Sequence, residues 1–119
     1  GWEAVVKALQ QSVERALGAG VRSAQLALDP GLGFGKSMTQ NLGFLRDFGP
    51  IARLGLPIYV GPSRKSFIGR VTGRPATDRE MGTAAAVTAA VLAGASFVRV
   101  HDVAAMRRVI DVAAAIRDA

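Results

Sequence analysis

Two cations flanked by two hydroxyls, Ser63-Arg64-Lys65-Ser66, follow the apolar run Pro57-Ile58-Tyr59-Val60 and the pair Gly61-Pro62. The apolar run reads as a buried strand, so the polar group stands where a strand opens into a loop. In parallel α/β proteins ligands collect at that end of the strands. Cations and hydroxyls gathered there suit an anion, phosphate or carboxylate. A second strand-like segment, Ser96-Phe97-Val98-Arg99-Val100-His101, brings a fixed cation and a titratable imidazole. Side chains alternate faces along a strand, so Arg99 and His101 are expected to point the same way. A charge in an apolar strand is costly unless paired. A guanidinium, however, stacks on an aromatic ring and donates to phosphate, and His101 is placed to donate to the same oxyanion.

The third segment ends the strand-like run Leu26-Ala27-Leu28 with Asp29 and opens a glycine-rich loop, Pro30-Gly31-Leu32-Gly33-Phe34-Gly35-Lys36. The two acceptor oxygens of Asp29 suit a heterocycle edge with two adjacent N–H donors. A turn shaped with Pro30-Gly31 is the alternative use of the same side chain. The loop has the look of a phosphate cradle but fails both common patterns. Five residues before Gly35 stands Pro30, not the glycine of a P-loop, and the third glycine comes one residue early for a dinucleotide fold. Glycines here are expected to let the backbone approach a ligand and to set Phe34 at a pocket wall.

The elements that must hold these groups alternate helix and strand. A first helix is expected over residues 2–17, on the spacing of Trp2, Val5, Val6, Leu9, Val13, Ala16 and Leu17, with Gly18 and Gly20 suited to end it. Strands follow at 25–28, 57–60 and 96–101. A second helix is expected over 39–54, kinked or split at Gly49-Pro50 and closed by Gly55. Thr77 and Glu80 have capping-box spacing for a third helix ending near residue 93. Asp102 is placed to N-cap a last helix with the stripe Val103, Met106, Val109, Ile110, Ala113 and Ile116. Residues 69–78 read as the longest irregular stretch, beside the cations. Strands alternating with helices make an α/β protein of βα units. Periodicity alone does not choose between a barrel and an open sheet.

Composition narrows the partners. The 119 residues contain no cysteine, which excludes disulfides and thiolate metal sites. No apolar run reaches the ~18 residues of a membrane span, and the expected location is the cytoplasm. The net charge of +6 is spread over several segments without aromatic-basic interleaving. That argues against nucleic acid and for a small anionic substrate.

Taken in order, the glycine loop from Asp29 to Lys36, Asn41, Gly61-Pro62-Ser63-Arg64-Lys65-Ser66, Gly82-Thr83 and Arg99-Val100-His101-Asp102-Val103 resemble the C-terminal part of the dihydropteroate synthases. The resemblance covers essentially the whole chain. It implies the C-terminal portion of a TIM (β/α)8 barrel, about three βα units plus a leading helix, with no internal domain boundary over 1–119. A complete barrel needs ~250 residues, so the chain is expected to be a fragment. The reaction implied condenses 6-hydroxymethyl-7,8-dihydropterin diphosphate with 4-aminobenzoate, giving 7,8-dihydropteroate and pyrophosphate. The resemblance assigns Asp29, Lys65 and Arg99 to the pterin. It assigns Arg99 and His101 to the diphosphate, and Phe34, Ser66 and Arg64 to the aminobenzoate pocket. It implies Mg2+ held by a residue outside this chain, a homodimeric whole protein, and an isolated fragment without activity. A pterin-binding methyltransferase barrel and a non-catalytic assembly module are the other readings of these residues.

Overall fold

The computed structural model describes residues 2–119. Helix α1 (Trp2–Gly18) leads into a 3-10 turn (Ser23–Gln25), then α2 (Met38–Arg46), α3 (Gly49–Ala52), β1 (Tyr59–Val60), α4 (Ser66–Thr72), α5 (Glu80–Leu92), β2 (Phe97–Val98) and α6 (Val103–Arg117). The sheet is parallel throughout. Leu28 bridges Ile58, and Tyr59 and Val60 pair with Phe97 and Val98. Leu28 N–H donates to Pro57 O and Tyr59 N–H to Leu28 O, each at 2.8 Å. Arg99 N–H donates to Val60 O at 2.8 Å, so the pairing carries one residue past β2. Helices join each strand to the next, as parallel pairing requires. The described residues are an α/β assembly of the expected order.

The core lies between the sheet and α2 to α5. Leu32, Phe44, Phe48, Ile51, Ile58, Val60 and Phe67 are buried in one cluster, with Trp2, Val5, Val6 and Leu9 of α1 packed against it. The Trp2 and Phe44 rings lie 4.1 Å apart, centroid to centroid. A smaller cluster of Val87, Val91, Met106 and Ala113 seats α6 on α5. Apolar residues at helical spacing on each facing side account for both contacts.

Several elements differ from the sequence expectation in bounds or in partners. The helix over 39–54, expected to kink or split at Gly49-Pro50, is split into α2 and α3. Pro50 lacks an N–H and would strike the carbonyl of Arg46, four residues back, which is where α2 ends. Asp47 Oδ1 takes the Gly49 N–H at 2.7 Å and restarts the chain. At the other end of α2, Ser37 and Gln40 form a capping box, with Gln40 N–H donating to Ser37 Oγ at 3.1 Å and Ser37 N–H to Gln40 Oε1 at 2.9 Å. The capping box expected from Thr77 and Glu80 does not form. Arg79 is the N-cap of α5 without a side-chain bond, and Glu80 instead meets Arg64. Four residues of the stretch expected to be irregular, 69–72, are helical: α4 buries Phe67 and Ile68 and is capped by Gly73. Gly18 is the last residue of α1, and Gly20 (φ 93°) alone makes the left-handed turn after it. The strands are shorter than expected, with Phe97 51 % exposed at the free side of the sheet. Val103 and Ile116 face outward, not into the α6 stripe. Asp102 caps α6 as expected, its Oδ1 accepting from Ala105 N–H at 3.1 Å. No helix among the described residues is long and apolar enough to cross a membrane.

Phe48 is fully buried where α2 gives way to α3. Phe48→Ala is expected to cost ~3–5 kcal/mol by lost burial and a residual cavity. Urea unfolding followed by far-UV circular dichroism tests this, and an unchanged midpoint would refute the packing described.

Candidate functional site

The chain leaves β1 at Val60 and β2 at Val98 side by side, so the loops that follow share one end of the sheet. Gly61, Ser63, Arg64, Lys65, Arg99 and His101 line an open cavity of ≈ 620 Å³ there. The structure thus brings together four of the residues expected to bind ligand: Arg64, Lys65, Arg99 and His101. Arg99 and His101 line the same cavity, but so does Val100 between them, and all three lie past the end of β2, so strand alternation does not account for the pair. Arg99 is exposed rather than buried in a strand, so the expected cost of an unpaired buried charge does not arise.

Gly61 makes room for Arg99. A Cβ built on Gly61 would stand 2.7 Å from Arg99 Nη2 and 3.0 Å from its Nε. The guanidinium therefore lies directly across the strand end, in space that only glycine leaves open. Lys65 runs the other way, toward the glycine loop. Its Cδ would be 3.3 Å from a Cβ on Gly33, and its Nζ lies 4.4 Å from the centroid of the Phe34 ring. That cation–π contact links the cavity wall to the loop after Asp29. The loop is itself pinned by buried Asn41, whose Oδ1 accepts from Gly33 N–H at 2.8 Å.

Asp29, Phe34 and Ser66 do not line this cavity. Asp29 is exposed just past Leu28, and its Oδ1 accepts from Gly31 N–H at 2.8 Å. The turn-shaping use is realised, and the second oxygen and the remaining lone pair of Oδ1 stay available. Phe34 is 68 % exposed. Ser66 is the first residue of α4, with Lys65 as the N-cap.

Four further residues have partners that only the fold shows. Thr83, fully buried in α5, accepts the Arg64 N–H at 3.0 Å. Glu80 takes Arg64 Nε at 2.6 Å, and Arg79 Nη1 donates to Arg64 O at 3.2 Å. Ser63, 6 % exposed, has its Oγ 2.7 Å from His101 Nδ1. Sequence marks Ser63 as a hydroxyl beside the cations and Thr83 through the family resemblance, but gives neither its partner. The partners lie 19 and 38 residues away.

The ion pairs among the described residues join Arg64 to Glu80, Arg74 to Asp78, Arg107 to Asp111 and Arg117 to Asp118. Lys65 and Arg99 belong to none of them. The cavity therefore holds two cations without a carboxylate partner, beside one histidine, which is an arrangement for an anion. It offers no oxygen cluster for a hard divalent cation, and no group of three metal-ligating side chains occurs among the described residues. A second cavity, ≈ 410 Å³ between α2, α4 and α5, is almost wholly apolar and lacks convergent polar groups.

Gly61→Ala is expected to push the Arg99 guanidinium off the strand end. Inorganic pyrophosphate binding should weaken ~10-fold or more while the circular dichroism spectrum is retained, since a charge-assisted contact is worth ~1.5–3 kcal/mol. Undiminished binding in calorimetry would show that Arg99 is not held there by Gly61.

Residues 2–101 match the model of the pterin binding enzymes. The chain is 48% identical over 98 residues to a dihydropteroate synthase of Synechocystis, covering 82% of this chain and 34% of that protein. It is 37% identical over 115 residues to a Mycobacterium tuberculosis protein named inactive dihydropteroate synthase 2, covering 97% of this chain and 36% of the other. Among solved structures it superposes on the Coxiella burnetii dihydropteroate synthase in complex with pteroic acid. That match has a TM-score of 0.94 and 39% identity, over 98% of this chain and 43% of that one. The chain thus spans about a third of the length of the curated relatives it matches. A cation-lined cavity at the shared end of parallel strands, matched at this identity and over this much of its length, makes the chain a member of the pterin binding enzyme family.

Proposed function

We propose that the chain is the C-terminal part of a dihydropteroate synthase, contributing about three βα units and a leading helix to a (β/α)8 barrel. The whole protein would join 6-hydroxymethyl-7,8-dihydropterin diphosphate to 4-aminobenzoate, releasing pyrophosphate. The observation that carries this reading is the pair of unpartnered cations, Lys65 and Arg99, beside His101 at the ends of β1 and β2. The pteroic acid held by the Coxiella burnetii relative supports it, being the class of product the reaction makes.

In this reading the bond from the pterin methylene carbon to the diphosphate oxygen breaks, and the amine nitrogen of 4-aminobenzoate attacks that carbon. Negative charge grows on the departing diphosphate, so Arg99 and His101 bind it more tightly as the reaction proceeds. Asp29 accepts from adjacent N–H groups of the pterin, and Lys65 and Arg99 fix the ring so that the methylene faces the amine. The aromatic amine attacks in its neutral form, and the proton its nitrogen sheds on bonding passes to the departing diphosphate or to water, so no side chain is required as general base. Phe34, Ser66 and Arg64 border the aminobenzoate. Arg64 already gives Nε to Glu80, which leaves its stem and outer guanidinium edge for the ligand. Magnesium, when bound, would neutralise part of the diphosphate charge. The cavity lining offers cations rather than carboxylates, and the family resemblance puts the protein ligand of the metal outside this chain. The family resemblance extends the reading to a homodimeric, cytoplasmic whole protein.

Two outcomes test the reading. The purified chain alone is expected to form no dihydropteroate, because it carries one wall of the site, and measurable product would refute that. Calorimetric titration of the chain with a 6-hydroxymethylpterin analogue should show saturable binding that Asp29→Asn abolishes. Equal binding by Asp29→Asn would remove Asp29 from the pterin site.

A further inference from the structure

Ser63 spends its hydroxyl on one residue. Both hydrogen-bond contacts of its Oγ among the described residues are with His101: the backbone N–H of His101 donates to Oγ at 3.2 Å, and His101 Nδ1 lies 2.7 Å away. Ser63 is buried, whereas the imidazole is exposed and lines the cavity beside Arg99 and Lys65. A hydroxyl has a single proton to give, and a neutral imidazole carries its own proton on one nitrogen only. If Nδ1 held that proton, Oγ would accept twice and its own buried proton would go without a partner, which is unfavourable. If Ser63 donates to Nδ1, every buried polar atom of the pair is satisfied. Nε2, the nitrogen not engaged with Ser63, then carries the ring proton.

We propose that Ser63 is a positioning residue that donates to His101 Nδ1, fixes the neutral ring as the Nε2–H tautomer, and thereby presents an N–H donor to a diphosphate oxygen. The ligand half of this statement rests on the function proposed above, and the tautomer half does not. The bond also fixes the ring plane, because the same Oγ holds the His101 backbone and its imidazole. The two loops after β1 and β2 are thus clamped at the point where an anion would meet them. A ring in the opposite tautomer would offer a lone pair to that anion.

His101 is the only histidine of the chain, so its ring can be read without assignment. The full chain, labelled with 15N-histidine, is to be examined by long-range 1H–15N correlation at a pH where the ring is neutral. The expected spectrum has Nε2 protonated and Nδ1 an acceptor. Ser63→Ala should give a mixture of tautomers, and Ser63→Thr should restore the single form. Inorganic pyrophosphate, titrated against the three proteins, should bind ~3- to 10-fold more weakly to Ser63→Ala than to the parent or Ser63→Thr, as expected for one hydrogen bond. A ring protonated on Nδ1, or a spectrum unmoved by Ser63→Ala, overturns the proposal. Should Ser63→Ala fail to fold, the parent spectrum still decides the tautomer. A Ser63-dependent tautomer with no pyrophosphate binding by the parent would overturn the ligand half and leave the tautomer half standing, while the function reading is tested separately by the pterin titration.

Discussion

Arg64 holds φ = 56° in a residue that is not glycine, and three separate contacts keep it there. Left-handed backbone costs an L-residue ~1–2 kcal/mol. Thr83 Oγ1 takes its N–H, Arg79 donates to its carbonyl, and Glu80 holds its Nε. Two net hydrogen bonds at ~0.5–1.5 kcal/mol each, with a half-exposed ion pair adding less than ~1 kcal/mol, are enough to offset that cost. All three partners stand at the start of α5. The turn after β1 is therefore set by the helix that follows it, not by the residues of the turn. Release of Arg64 would let the chain straighten and carry Ser63 away from His101 and Lys65 away from the glycine loop. Strain at a functional loop persists where the surroundings over-determine it, and here they do so three times.

That arrangement also sorts the charges. Glu80 neutralises the arginine whose position is structural and leaves unpaired the two cations that line the cavity toward Gly33 and Gly61. Had Glu80 capped its own helix, as Thr77-x-x-Glu80 spacing suggests, Arg64 would have lost its partner. The conflict between a local bond and a distant one is resolved in favour of the site. Lys65 and Arg99 are consequently held by packing over glycines and over Phe34, not by counter-charges, and remain free to meet an anion.

Much of this was legible in the sequence because it is local. A hydroxyl-cation cluster directly after an apolar run marks a strand end, and Asp102 before a helical stripe marks a cap. Those signals act over four residues or fewer, and the fold realises them. The helix α4 was hidden because Gly69 interrupts a short segment that reads as loop. Only the burial of Phe67 and Ile68 under α5 makes a helix there worthwhile, and that burial is tertiary. The split between α2 and α3 needed only the rule about proline, yet its position depends on Asp47 capturing the Gly49 N–H. The Ser63–His101 and Arg64–Thr83 bonds span 38 and 19 residues. No periodicity encodes such pairs.

The openness of the cavity decides how much these groups accomplish. Opposite charges 4 Å apart attract by ~1 kcal/mol in water and by ~4 kcal/mol at the effective dielectric of a protein surface. Arg99 is exposed, and Lys65 only partly covered, beside a sheet whose β2 side is free. Their pull on a bound oxyanion is therefore near the weaker value, whatever their geometry. Covering the cavity would change no residue and no distance, yet would raise the same pull several-fold and favour the state with the most negative charge. Recognition of an anion can thus reside in this chain's own side chains, while the stabilisation of a departing diphosphate depends on what excludes water from them. The two properties separate along the free edge of the sheet: one is built by residues placed at strand ends, the other by whatever closes over those ends.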